Sequence, residues 1–336
     1  MIRVAINGYG RIGRVAHRVI LEKFSDSVDL VAINGGGSTD TVGWAYLLKY
    51  DTAYGILKDH SIRGEPGKLI VDGRDITFLA EKDPSLLPWK DLQIDVVIEC
   101  SGHFTTAEKI QPHLNAGARK VVLSAPAKDS TVRTFVIDVN LSAEPEDKII
   151  SNASCTTNCI SPIAQIMVEK FGVNKAMMTT IHAYTSDQKL QDGGHADYRR
   201  ARAAAQNIVP TSTGATIAAT ETVPELKGLF AGTSIRVPVV VGSLSDFTFH
   251  VKKTTTVEEV NKVLRDAALS QKYSHVLEAT TDPLVSSDII GNDHSAIVDL
   301  SLTQVVGGDL VKVFAWYDNE WGYANRLVEE VILVGQ

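Results

Sequence analysis

Arg3-Val4-Ala5-Ile6-Asn7-Gly8-Tyr9-Gly10-Arg11-Ile12-Gly13 joins a short β-rich apolar run to three glycines spaced as GxGxxG, and residues 14–24 then repeat apolar side chains at helical spacing. Strand, tight glycine turn and helix in that order open an alternating α/β chain. A second strand is expected at 28–34, and apolar runs at 95–100, 120–124 and 148–151 alternate with helical or looped segments. Such alternation implies an N-terminal doubly wound parallel sheet of the Rossmann kind, with right-handed crossovers. Past Cys155 the texture changes, because β-rich stretches at 175–184, 233–253, 296–304 and 310–316 outnumber helices. The second domain is therefore expected to be α+β with a mixed or antiparallel sheet. Residues 324–334 read as a closing amphipathic helix. A length of 336 residues fits two domains, and the boundaries expected are 1–154 with 319–336, and 155–318.

Composition narrows the function classes. Apolar residues at 44% and charged residues at 22% are the balance of a globular enzyme. A net charge of -7 argues against general affinity for nucleic acid or anionic membrane. No signal-like n-region precedes the first strand and no apolar run reaches membrane-spanning length, so the cytoplasm is the expected location. Three cysteines, Cys100, Cys155 and Cys159, make neither a disulfide framework nor a zinc pattern, so no metal is expected.

The glycine turn has the context that a dinucleotide site requires. Gly8 makes the sharp turn, Gly10 lets a pyrophosphate approach the backbone, and Gly13 permits close helix packing, with Arg11 and Ile12 at the positive helix end. NAD-preferring sites carry a carboxylate about 20 residues further on. Here that place reads Asn34-Gly35-Gly36-Gly37-Ser38-Thr39, with Asp40 a few residues late. Dual use of NAD and NADP, or a preference for NADP, is expected, unless a rearranged loop brings Asp40 to the ribose.

Ser154-Cys155-Thr156 follows an expected strand and opens an expected helix, where the N-terminal dipole favours a thiolate. Thr180-Ile181-His182 supplies an imidazole in a β-rich run, and a Cys/His pair is a common way to activate a thiol. Read singly, an inert buried cysteine and a satisfied core histidine are the readings that base rates favour for such a pair.

The combination is more specific. INGYGRIGR at 6–14, LLKYDT at 47–52, SNASCTTN at 151–158, TIHAYT at 180–185, RRARAAAQNIVP at 199–210, the Ser212-Thr213-Gly214 turn, SIRVP at 234–238 and WYDNEWGYANR at 316–326 stand in one chain. Together they closely resemble phosphorylating glyceraldehyde-3-phosphate dehydrogenases, nearly end to end. The resemblance implies that Cys155 attacks the aldehyde of glyceraldehyde 3-phosphate and that His182 takes its proton. Hydride then passes to NAD or NADP, and inorganic phosphate releases an acyl phosphate from the Cys155 thioester. It assigns the substrate phosphate to Thr185, Arg236 and, through an orienting role, Asp187. Ser154, Thr156, Thr213 and Gly214 would hold the attacking phosphate, and Arg202 looks like a further anion-binding residue. Asn319 would bind the nicotinamide carboxamide with Tyr323 packing nearby, while Asn34, Gly35, Lys82, Ser101 and Ser124 would line the rest of the cofactor site. A homotetramer is also implied, with no nucleic-acid or membrane partner.

Several positions depart from the usual pattern. Gly35 replaces the more common Asp, and Gly193-Gly194 replaces a bulky Leu-Pro, both of which leave room for a 2′-phosphate. Val239-Val240-Val241-Gly242 and Ile217 also differ. The nearest alternative is erythrose-4-phosphate dehydrogenase, and a more distant one is a non-catalytic binding protein on the same fold. TIHAYT and the complete STG turn favour the phosphorylating enzyme, and intact Cys155, His182, Arg236 and Asn319 disfavour a pseudoenzyme.

Overall fold

The structure, a computed structural model, describes residues 1–141 and 146–336. The described residues gather into two compact units, 1–135 with 146–153 and 324–336, and 136–141 with 154–323.

The first unit is built on a nine-stranded sheet. Ile2–Asn7 lies between Val28–Asn34 and Val96–Glu99, and all three run parallel. Lys120–Leu123, Ile149–Ser151 and Arg133–Thr134 continue the parallel set on one side. The central strands are buried along their length, as Val4, Ala5, Ile6, Val96, Val97 and Ile98 show, which explains why they read as continuous apolar runs and not as alternating ones. The doubly wound α/β character expected from the strand spacing is present. The other edge differs from a purely parallel sheet. Ile62–Glu65, Lys68–Val71 and Arg74–Leu79 form an antiparallel meander, joined to the rest by the parallel pairing of Arg74–Leu79 with Val28–Asn34. Its turns lie at Pro66-Gly67 and Asp72-Gly73, where Gly67, Asp72 and Gly73 all have positive φ, the usual chemistry of tight hairpins.

The second unit carries an eight-stranded mixed sheet. Val173–Ala183 pairs parallel with Phe230–Val237 and antiparallel with Ser243–Val251, which in turn pairs antiparallel with Leu310–Tyr317. The long β-rich stretch at 233–253 is thus two strands. Gly242 at φ 98 ends the connection between them, where a Cβ would lie 2.4 Å from Ser286 O. The helix Cys155–Phe171 is buried from Thr156 to Ala164, and the last helix, Trp321–Val334, starts three residues earlier than the amphipathic pattern indicated. Among the described residues no helix is long and apolar enough to cross a membrane.

Candidate active site

The chain enters the reactive segment through a sharp turn. Ile149–Ser151 ends, Ala153 takes a left-handed φ of 55°, and Ser154 caps the helix Cys155–Phe171 by accepting the Thr157 N–H on its Oγ at 3.1 Å. Cys155 is therefore the first helical residue. Its Sγ lies 3.5 Å from His182 Nε2. His182 Nδ1–H donates to Ala183 O at 2.6 Å, which leaves the lone pair on Nε2 facing the thiol. Arg236 stands directly beside His182, because the two are register partners on parallel strands. Its Nη1 donates to Ala183 O at 3.2 Å and Thr185 Oγ1 at 3.3 Å, and its Nε is buried without a partner. The 3.1 Å approach of Nη1 to His182 Nδ1 brings two donors together and is no hydrogen bond.

Burial, reinforced by Arg236, pushes the His182 imidazolium down to about 3, and burial raises the Cys155 thiol while Arg236 opposes that rise. At this helix start burial outweighs the backbone donors of Cys155 and Thr156, which favour the thiolate. Burial thus disfavours both the thiolate and the imidazolium taken singly. Tyr317, which the sequence reading passed over, is fully buried with its hydroxyl 3.0 Å from Thr156 Oγ1 and 2.7 Å from Thr180 Oγ1. Its ring meets the His182 ring edge-on at a centroid distance of 6.0 Å.

The expected phosphate ligands fall into two groups. Thr185 lies on Arg236, while Asp187 holds Arg200 Nη1 at 2.7 Å and contacts His195 Nε2 at 3.3 Å. Thr213 Oγ1 accepts the Ala215 N–H at 3.1 Å, and Gly214 caps the helix Ala215–Thr222 with open space where a Cβ would stand. The hydroxyls of Ser154 and Thr156 are engaged, one in capping and one with Tyr317. Asn319 Oδ1 accepts from Gly242 N at 3.1 Å and Ser243 Oγ at 2.9 Å, which directs the rest of the side-chain amide elsewhere; Tyr323 is buried in the following helix.

In the first unit the fingerprint glycines fit a dinucleotide. A Cβ on Gly8 would lie 2.5 Å from the Ser101 backbone, one on Gly13 would lie 2.3 Å from Gly8 O, and the space beside Gly10 is open. The helix Arg11–Lys23 has no side-chain cap at Gly10, so the first-turn amides, those of Arg11 and Ile12 included, suit a pyrophosphate. The Arg11 guanidinium itself is held by Asp51. Asn34 is saturated. Its Nδ2 donates to Asn7 Oδ1 at 2.6 Å and Glu81 O at 2.8 Å, and its Oδ1 accepts from Glu81 N at 2.9 Å, so it shapes the loop and is not a free ligand. Asp40 is likewise engaged, capping the next helix through Gly43 N at 2.8 Å. Ser101 bonds Glu99, and Ser124 bonds Cys100.

Residues 2–107 match the family model for the glyceraldehyde 3-phosphate dehydrogenase NAD binding domain, and residues 154–319 match that for the C-terminal domain of the same enzyme. Over 338 residues, covering 100% of this chain and 99% of the relative, the sequence is 49% identical to glyceraldehyde-3-phosphate dehydrogenase 2 of Trichormus variabilis. The glyceraldehyde-3-phosphate dehydrogenase of Zymomonas mobilis is 47% identical over 329 residues (98% and 97%), and that of Borreliella burgdorferi 48% over 335 residues (98% of each). The chain belongs to the glyceraldehyde-3-phosphate dehydrogenase family.

As a member of that family it is an NAD(P)-using oxidoreductase with a nicotinamide-dinucleotide domain. Arg202, expected as a further anion-binding residue, is exposed and pairs with Asp192 at 2.8 Å. Arg200, two residues earlier, is the arginine that joins Asp187, Thr211 Oγ1 at 2.9 Å and Ser212 O at 3.2 Å, and its charge is felt by both His182 and Arg236. The alternation of the RRAR run does not reveal which of its arginines faces inward, because the segment is a loop without strand or helix period.

Proposed function

We propose that the chain catalyses the reversible oxidation and phosphorylation of D-glyceraldehyde 3-phosphate to 1,3-bisphosphoglycerate in glycolysis and gluconeogenesis. The observation that carries this reading is the Cys155, His182 and Arg236 arrangement, a thiol facing an unprotonated Nε2 beside a buried guanidinium with an unmatched donor. As Cys155 Sγ bonds the aldehyde carbon, the thiol proton goes to His182 Nε2, and the resulting imidazolium stabilises the new oxyanion. The bound nicotinamide supplies the hydride acceptor. Loss of hydride from the hemithioacetal leaves a thioester on Cys155. Phosphate oxygen then attacks its carbonyl, the C–S bond breaks, and the leaving sulfur recovers a proton from His182. Arg236 and Thr185 are assigned to one phosphate, and the Thr213-Gly214 helix start with Arg200 nearby to the other.

NADP is proposed alongside NAD. A Cβ on Gly35 would lie 2.9 Å from the Phe78 ring, so this loop has no room for a carboxylate there, and Asp40 is engaged as a cap. Lys82 Cε lies 2.9 Å from the Cβ position of Gly37, which carries a cationic side chain over the loop that would meet a 2′-phosphate. The cytoplasm and a homotetramer complete the proposal; Leu190, Tyr198 and Ile208, exposed by 77%, 87% and 71%, supply apolar surface for subunit contact. No observation favours erythrose 4-phosphate. The mechanism is tested by mixing enzyme, cofactor and substrate without phosphate and taking the intact mass. A phosphoglyceryl adduct on Cys155, absent from Cys155→Ser and discharged by added phosphate, is the expected result; no adduct contradicts it.

A further inference from the structure

The parallel sheet of the first unit reverses its winding between Ile2–Asn7 and Val96–Glu99, since the strand order proceeds to Val28–Asn34 on one side and Lys120–Leu123 on the other. Ligands of open α/β sheets lie beyond the strand carboxyl ends at such a point. The residues at those two ends, Asn7 and Glu99, are register partners, and Asn7 Nδ2 donates to Glu99 Oε2 at 2.5 Å. Glu99 is 1% exposed, yet it receives three more donors: His113 Nε2–H at 3.1 Å, Ser101 N at 2.8 Å and Ser101 Oγ at 2.5 Å. Trp89 Nε1 donates to His113 Nδ1 at 3.0 Å. An indole can only donate, so Nδ1 holds a lone pair and the ring proton sits on Nε2, aimed at Glu99. On the other side Asn34 Nδ2 continues the chain into Asn7 Oδ1 at 2.6 Å. One unbroken network thus ties together the loops that follow three adjacent strands. Gly8 rests on it as well, since its missing Cβ would collide with Ser101 N and Cα at 2.5 Å.

We propose that Glu99 and His113 are positioning residues for the dinucleotide. A buried carboxylate costs free energy unless every lone pair is matched, and here four donors converge from both sides of the reversal point. The network fixes the spacing between the Gly8 turn and the Ser101 loop, so the cofactor meets a cleft already set to width. Neither residue contacts reacting atoms. This inference rests on the cofactor reading of the glycine turn.

The test compares wild type, Glu99→Gln and Trp89→Phe by calorimetric titration with NAD and with NADP, together with steady-state kinetics. Glu99→Gln replaces one accepting oxygen by an amide donor that faces donors, and both dinucleotides are expected to bind about tenfold more weakly, by the same factor, as for loss of one charge-assisted bond. kcat and the KM for phosphate stay within about twofold, which a general structural defect would not allow. Trp89→Phe releases the tautomer. The nitrogen resonances of His113 move towards a mixture, with a smaller, equal loss for both cofactors, and this variant decides the matter if Glu99→Gln fails to fold. Unchanged affinity in a folded variant, or a loss confined to NADP, overturns the proposal. Wild-type protein that binds neither dinucleotide overturns the cofactor reading beneath it instead.

Discussion

His182 Nε2 stands 3.5 Å from Cys155 Sγ while the opposite nitrogen of the same ring is anchored to Ala183 O. The anchor decides the tautomer, and the tautomer decides that the thiol faces a base. Burial acts first on each member alone, raising the thiol and lowering the imidazolium to about 3, so the proposed mechanism requires that the proton be shared at neutral pH.

His182→Asn removes the acceptor and leaves Cys155 with its burial. Alkylation of Cys155 by iodoacetamide at pH 7 is expected to slow by about 10²-fold, at the lower end of general-base effects. Because the thiol is raised above its ordinary 9.0, the residual rate should climb only as pH passes that range. An unchanged rate at pH 7 would mean that His182 does not activate the thiol.

Arg200 and Arg202 are separated by one residue and differ in everything that matters to the site. Arg200→Ala removes the clamp on Asp187, Thr211 and Ser212, and kcat/KM is expected to fall roughly 10- to 100-fold with phosphate KM rising, as for loss of charge-assisted bonds. Arg202→Ala should remain within about twofold, since its exposed pair with Asp192 contributes little. The reverse ranking in measured kcat/KM would restore the assignment to Arg202.

Glu330 lies in the helix Trp321–Val334, completely buried, and neither carboxyl oxygen has a hydrogen-bond partner. Burial alone raises its carboxyl well above the ordinary 4.5. A carboxyl with a raised folded value favours folding while both states are protonated, below about pH 4.5, and that advantage is lost as pH rises towards the folded value. Glu330→Met is therefore expected to stabilise the protein at pH 7 by about 1–3 kcal/mol, with a smaller gain at pH 4. Denaturant midpoints at the two pH values measure it, and a lower midpoint at pH 7 would show that the carboxyl is needed.

How much of this was legible in the sequence follows from the range of each interaction. The glycine turn and the helix start at Cys155 are local, so Gly8, Gly10, Gly13 and Ser154 declare their conformations within a few residues. His182 was a candidate from its residue type that the family resemblance decided, Arg236 came from the resemblance alone, and the physical cause of their pairing, adjacent strands in register, is invisible along the chain. Tyr317 and Arg200 were missed because each owes its place to partners distant in sequence, Thr156 and Thr180 for one, Asp187 and Thr211 for the other. The antiparallel edge at 62–79 did leave a signal in Pro66-Gly67 and Asp72-Gly73. Its short strands were submerged in the expectation of uniform βα alternation.

Steady-state rates for glyceraldehyde 3-phosphate with NAD and with NADP, each with and without inorganic phosphate, decide whether the thiol carries an acyl group to phosphate. Turnover that requires phosphate with either cofactor, and that with NADP stays within about tenfold of NAD or exceeds it, is the expected result. Equal turnover without phosphate would contradict acyl transfer from Cys155 to phosphate, and turnover confined to NAD would contradict the reading of Gly35 and Lys82.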